Sequence, residues 1–243
     1  MPMMRPKPML SIICLLCSLA VTAQQDSADV KKQEKRKYEN EARDRLVLGF
    51  SFDNWFHNMK DSVKTKWNSW GCHVYYMYDI PLRKSPISFA PGAGFSASWV
   101  KHNSYVDDTL MGQTVFRPHP DSVSFKRNSF VTAFFEVPLE LRYRSKPDAG
   151  GRSFKLGIGV IGGVQIHNHF KIKTDDDPWV NSGDKQIIKI AGFDAVERWK
   201  FAGTFRIGYG AVNLFFSYTI TNLFKDEGPK VHPFSAGFSI NGL

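Results

Sequence analysis

The sequence predicts an all-β chain: an eight-stranded antiparallel up-and-down transmembrane β-barrel. Three observations predict it. From Leu46 onward the hydrophobic pattern repeats every second residue, the period of a strand. One face of that pattern is apolar and rich in aromatics, while the other is crowded with Gly and Ser. The connections between alternating segments run long, short, long, short. A narrow eight-strand interior needs small residues, whereas a water-facing strand surface has no use for Gly. Long loops at one end and tight turns at the other are the pattern of an outer-membrane barrel.

The elements follow in order. Residues 1–23 read as a signal peptide: Arg5 and Lys7 precede an apolar run from Met9 to Val21, and Val21-Thr22-Ala23 is a small-residue cleavage site. The run is too short to span a bilayer, which takes about 20 residues. Cys14 and Cys17 form a C-x-x-C inside that run, so a redox reading fails there, and neither follows the small residue of a lipoprotein site. The mature chain keeps Cys72 alone, which excludes an internal disulfide. Cleavage lowers the formal net charge of +9 by two. Residues 24–45 hold seven bases and six acids and read as a charged periplasmic tail. The barrel domain is 46–243.

Eight segments alternate in that domain. Leu46, Leu48, Phe50 and Phe52 share a face against Val47, Gly49, Ser51 and Asp53. Val74, Tyr76, Tyr78, Ile80 and Leu82 oppose His73, Tyr75, Met77 and Asp79. Phe89, Ala93, Phe95, Ala97 and Trp99 oppose Gly92, Gly94, Ser96 and Ser98. Ala133, Phe135, Val137, Leu139, Leu141 and Tyr143 oppose Thr132, Glu136, Glu140 and Arg142. Leu156, Ile158, Val160, Val164 and Ile166 oppose Lys155, Gly157, Gly159, Gly163, Gln165 and His167. Phe201, Phe205, Ile207 and Tyr209 oppose Ala202, Thr204, Arg206 and Gly208. Leu214, Phe216, Tyr218 and Ile220 oppose Ser217 and Thr219. Phe234, Phe238 and Ile240 oppose Ser235, Gly237 and Ser239. Loops are expected at about 57–72, 101–128, 173–198 and 225–232, and turns at 83–87, 145–153 and 208–213. An even strand count places both termini in the periplasm. No stretch after residue 23 holds 18 uncharged apolar residues, so a spanning chain has to span as a closed barrel.

Several stretches resemble the PorT-like outer-membrane β-barrel family. They are Phe52-Asp53-Asn54-Trp55, Met77-Tyr78-Asp79-Ile80-Pro81-Leu82, Phe89-Ala90-Pro91-Gly92, Val137 to Tyr143 and Phe154-Lys155-Leu156-Gly157. Arg206 to Gly210, Leu223-Phe224, Gly228-Pro229 and Pro233-Phe234-Ser235 continue the series over roughly Arg45 to Leu243. The order of the motifs carries the likeness, not any one of them. It implies an eight-strand barrel in the outer membrane, in a family some of whose members are linked to protein secretion and surface motility. The chain ends on Leu243 instead of the aromatic that barrel assembly reads, with Phe238 and Ile240 as substitutes.

Candidate chemistry is sparse. Gly157-Ile158-Gly159-Val160-Ile161-Gly162 matches G-x-G-x-x-G, with Asp175 some 18 residues on. A dinucleotide site needs that turn to open a helix, whereas strand alternation continues here through Val164, Ile166 and Phe170. Glu136 and Glu140 would lie about 13 Å apart along one strand, too far for a glycosidase pair. With Arg142, Lys155 and Arg206 they form an expected interior salt-bridge network. His57, His102 and His119 fall in the long loops; His73, His167, His169 and His232 are expected at the outer strand ends. His167 and His169 share a face and would need a third ligand to hold zinc, copper or haem. Ser96, Ser98 and Ser217 face inward, away from lipid tails, and no G-x-S-x-G appears. Asp175-Asp176-Asp177 lacks the spaced acids of an EF-hand loop. Lys60, Lys64 and Lys66 suit anionic lipopolysaccharide, and no basic stripe suggests nucleic acid.

The expectation is therefore a monomeric, non-enzymatic protein of the bacterial outer membrane without cofactor, catalytic or metal site. It acts through its extracellular loops as an envelope, adhesion or secretion-accessory component, with lipid, lipopolysaccharide and possible envelope proteins as partners. The alternatives are a soluble exported barrel holding an apolar ligand, with the aromatic face inward, and an outer-membrane lipid-modifying enzyme with a Ser/His or Asp/His pair at the rim.

Overall fold

A computed structural model of the chain describes residues 46–58, 64–82, 85–107, 115–118, 125–174, 186–191, 195–225 and 229–241. The signal peptide, the charged tail, Lys60, His119, Asp175-Asp176-Asp177, Gly228 and Leu243 lie outside the described residues.

Eight strands form the barrel wall: β1 Leu46–His57, β2 Trp70–Met77, β3 Ile87–Lys101, β4 Phe125–Arg144, β5 Phe154–Thr174, β6 Trp199–Tyr209, β7 Val212–Thr219 and β8 Val231–Asn241. Each pairs antiparallel with the next, and β8 pairs with β1 from Val47↔Asn241 to His57↔Val231, which closes the sheet. Closure leaves no barrel edge unpaired, the condition for strands in hydrocarbon. Ile80–Pro81 continues the β2–β3 ladder toward its turn.

The turns between β2 and β3, β4 and β5, and β6 and β7 lie at one end, together with the start of β1 and the end of β8. In the β4–β5 turn, Asp148 Oδ1 accepts the backbone N–H groups of Gly150 (2.9 Å) and Arg152 (2.8 Å), and Tyr209 donates its hydroxyl to Oδ2. These bonds, the Tyr209 bond foremost, hold the Asp148 carboxyl below its ordinary pKa. Gly151 and Gly210 adopt φ of 76° and 62°, which the turns require and which suits glycine.

The other end carries the long connections, and two of them contain strands that the alternation did not predict. Ser104–Asp107 pairs with Val115–Pro118 as a separate hairpin, and Gln186–Ala191 pairs with the far end of β5. With 20 and 21 residues, β4 and β5 run well past the nine to eleven residues or so that a spanning strand needs.

The apolar face points out. Phe135, Phe205 and Phe216 are exposed on the outer wall, and the rings that Phe50 meets, Phe52, Trp70 and Phe238, are themselves outward. The aromatic face therefore does not line a dry centre. Tyr209 and Trp199 mark the two ends of the band on β6. Ten residue steps at about 3.3 Å, tilted about 40°, give a height of about 25 Å, that of an outer-membrane apolar band.

One register differs from the simple alternation. Ala133 pairs with His167 but Phe134 pairs with Gln165, so Ile166 is an extra residue in β5. This β-bulge reverses the faces beyond it. His167 is exposed on the outer wall instead of facing the lumen, and Phe170 is buried inside.

Candidate functional site

Polar and charged side chains fill the lumen in tiers that run from the turn end to the loop end. In the first tier, Arg142 donates from Nη1 to Asp79 (2.9 Å), from Nε to Glu140 (2.9 Å) and from Nη2 to the Met77 sulfur (2.8 Å). Arg206 lies 3.1 Å from Glu140, and Arg144 lies 3.4 Å from Asp79. Both carboxylates are buried. Burial of such charges is tolerated because each oxygen meets a cationic donor.

The second tier centres on Glu136, which is 1% exposed. Its Oε1 accepts Ser96 Oγ (2.7 Å) and Lys200 Nζ (2.7 Å), and Tyr75 donates to Oε2. The Lys200 ammonium also stands 5.1 Å from the centre of the Phe134 ring. Asp53 lies nearby and accepts hydroxyl bonds from Ser51 (2.6 Å) and Ser98, with no ion-pair partner among the described residues.

Glycines make these contacts possible. In the pairing register, Tyr75 of β2, Gly94 of β3, Glu136 of β4, Gly163 of β5 and Lys200 of β6 form one row across five strands. Each polar side chain bends over a glycine to reach the next. A Cβ on Gly94 would come within 2.6 Å of the Tyr75 ring, and one on Gly163 within 3.1 Å of Glu136 Cγ. Gly159 plays the same part for Glu140, whose Cγ would lie 2.9 Å from an added Cβ. The G-x-G-x-x-G stretch thus supplies two residues of the lumen floor, Gly157 and Gly159, and lies wholly within β5; it opens no helix.

Above a cavity of about 70 Å³ the loop end is closed by an apolar cap. Trp55, Val100, Phe130, Phe170, Val196, Leu223, Phe224 and Val231 are buried together there. Phe130 stacks on Phe170 with centroids 4.3 Å apart, and Trp55 meets both Phe130 and Phe224 edge-on. The segments before β6 and after β7 complete the cap through a short ladder: Glu197 N–H donates to Leu223 O and Lys225 N–H to Ala195 O, both at 2.9 Å. A cavity of this size beside Asp53 and Glu136 holds a few waters. It is too small for a drug-sized ligand.

The other candidates separate clearly. Glu136 and Glu140 serve different tiers and form no pair. Lys200 and Arg144 are charges that sequence reasoning missed; alternation extends one residue upstream of Phe201 in β6 and one residue past Tyr143 in β4, and that was their signal. His73 does not lie at a strand end. It is buried in the lumen between Tyr75, on which it stacks, and the edge of Phe215. His102 stacks on Trp55, and its Nδ1 lies 3.0 Å from Ser104 Oγ. This Ser/His contact is fully buried, 1% and 0% exposed, so no substrate reaches the hydroxyl. Ser96 and Ser98 are hydrogen-bonded to lumenal carboxylates, and Ser217 lines the cavity. Cys72 is a free, half-buried thiol. His167 and His169 meet on the outer wall, with Nε2 and Nδ1 3.0 Å apart.

A family model described as outer membrane protein beta-barrel domain matches residues 23–225. No curated protein matches the sequence. Among solved structures, the chain is similar to the crystal structure of Ail, the attachment invasion locus protein of Yersinia pestis. That likeness has 13% sequence identity and a TM-score of 0.34, covering 81% of this chain and 96% of that chain.

Proposed function

The chain belongs to the outer membrane protein beta-barrel domain family, and from that premise we propose that it is a non-enzymatic, non-conducting barrel whose loop end does the work. The observation that supports this most is the doubly closed lumen. Two tiers of bonded charge fill the middle, and the cap of Trp55, Phe130, Phe170 and Phe224 seals the mouth. Eight strands leave interior room for side chains and little else. No route for solutes follows, and the surface remains as the place of action.

In this reading residues 1–23 direct export, the turns and both termini face the periplasm, and the loop end faces the cell exterior. Trp67 stands 82% exposed there beside Lys66, an arrangement suited to anionic lipopolysaccharide. The barrel works as a monomer and anchors an envelope, adhesion or secretion-accessory surface.

The test has three parts. Membrane fractionation with heat-modifiable gel migration should find a folded barrel in the outer membrane. In planar bilayers the purified protein should give no steady porin-like conductance. In intact cells, a Trp67→Cys, Cys72→Ser variant should react with a membrane-impermeant maleimide. Sustained conductance overturns the closed-lumen reading; labelling only after lysis overturns the orientation.

A further inference from the structure

We propose that His167 and His169 form a copper(II) site on the outer wall of β5, just beyond the aromatic band. Two independent features carry it. The bulge at Ile166 turns His167 out of the lumen, so that two imidazoles separated by one residue stand on the same exposed face. A bulge re-aims side chains at just such places. The second feature is the bite: His167 Nε2 and His169 Nδ1 are 3.0 Å apart. Two nitrogens at about 2.0 Å from one ion are about 2.8 Å apart when cis on a square plane and about 3.3 Å apart on a tetrahedron. The observed spacing, that of a hydrogen bond between the two rings, lies between these values, so the rings reach one metal with little movement.

Imidazole suits copper(II), which also stands highest among divalent first-row ions. Across the ladder His167 faces Ala133 and His169 faces Val131, neither of which brings a charge. Among the described residues no third His, Cys, Asp or Glu joins the pair.

The experiment uses the full mature chain, untagged, folded into detergent micelles and titrated with copper(II) chloride and then zinc chloride by calorimetry. One copper per barrel should bind, more tightly than zinc, with an electron paramagnetic resonance spectrum of a tetragonal ion carrying two nitrogens. His167→Ala and His169→Ala should each weaken binding by about tenfold or more, because each removes the chelate. His57→Ala with His232→Ala should leave binding and spectrum unchanged. Heat-modifiable migration verifies that each variant is folded. No binding, or an unchanged isotherm and spectrum in the folded His167→Ala, His169→Ala double variant, overturns the site.

Discussion

Lys200 of β6 places its ammonium 2.7 Å from Glu136 of β4 by passing over Gly163 of β5, the residue that both of them pair with in the register. Two strands that are not neighbours are thereby tied through the barrel interior. The contact is possible because the strand between them has no side chain at that height.

Breaking this pair on one side should cost more than removing it whole. Lys200→Met leaves Glu136 buried with only hydroxyl donors and should destabilise the barrel by about 3 kcal/mol. The double variant Lys200→Met, Glu136→Gln should recover a good part of that loss. Urea unfolding of the barrel in lipid vesicles, followed by tryptophan emission, measures both.

The glycines should differ sharply from one another. A Cβ on Gly159 would lie 2.3 Å from the Leu139 carbonyl oxygen, whereas one on Gly162 meets nothing nearer than Phe201 Cε1 at 3.8 Å. Gly159→Ala should cost about 1–3 kcal/mol or block folding, and Gly162→Ala should stay within about 0.5 kcal/mol. The folded fraction read by heat-modifiable migration distinguishes them.

A charge on the outer wall reports the solvent it meets. Phe205→Arg, near the middle of the β6 band, should cost about 2–4 kcal/mol. Trp67→Arg at the loop end should cost nothing measurable. Equal effects in vesicle unfolding would show that the aromatic face does not meet hydrocarbon.

The β4–β5 turn should loosen in acid. The Asp148 carboxyl titrates below its ordinary range in the folded turn, so its contribution is fully present above the unfolded value. That contribution is lost as pH falls through the depressed value. Amide hydrogen exchange at Gly150 and Arg152, corrected for intrinsic rates, should accelerate over that interval and not at neutral pH. Asp148→Asn should flatten the dependence.

The alternation of Leu46 to Asp53, of Val74 to Asp79 and of Ala133 to Tyr143 carried the wall, its inside and its outside, because a closed membrane sheet has one polar and one apolar face at every step. The interior network was legible as a set of charges, Glu136, Glu140, Arg142, Lys155 and Arg206, but not as pairs. Pairing depends on strand register, which period two alone leaves open. The bulge at Ile166 was invisible for a related reason: Ile166 is apolar and outward in both registers, so the pattern shows no break before His167. His73 was misplaced because the loop before β2 was drawn three residues too long; β2 begins at Trp70. The cap drew on Val196, Leu223 and Phe224, whose segments do not alternate.

Each lumenal ion pair described above lies within the contiguous run of strands from β2 to β6, while the inward faces of β7 and β8 offer only hydroxyls, amides and apolar groups. Charge neutralisation therefore does not depend on closure of the β8–β1 seam. During insertion, the partly built sheet can cancel its bases against its acids while still open. The lumenal faces of β7 and β8 add no base that would need a partner across the seam.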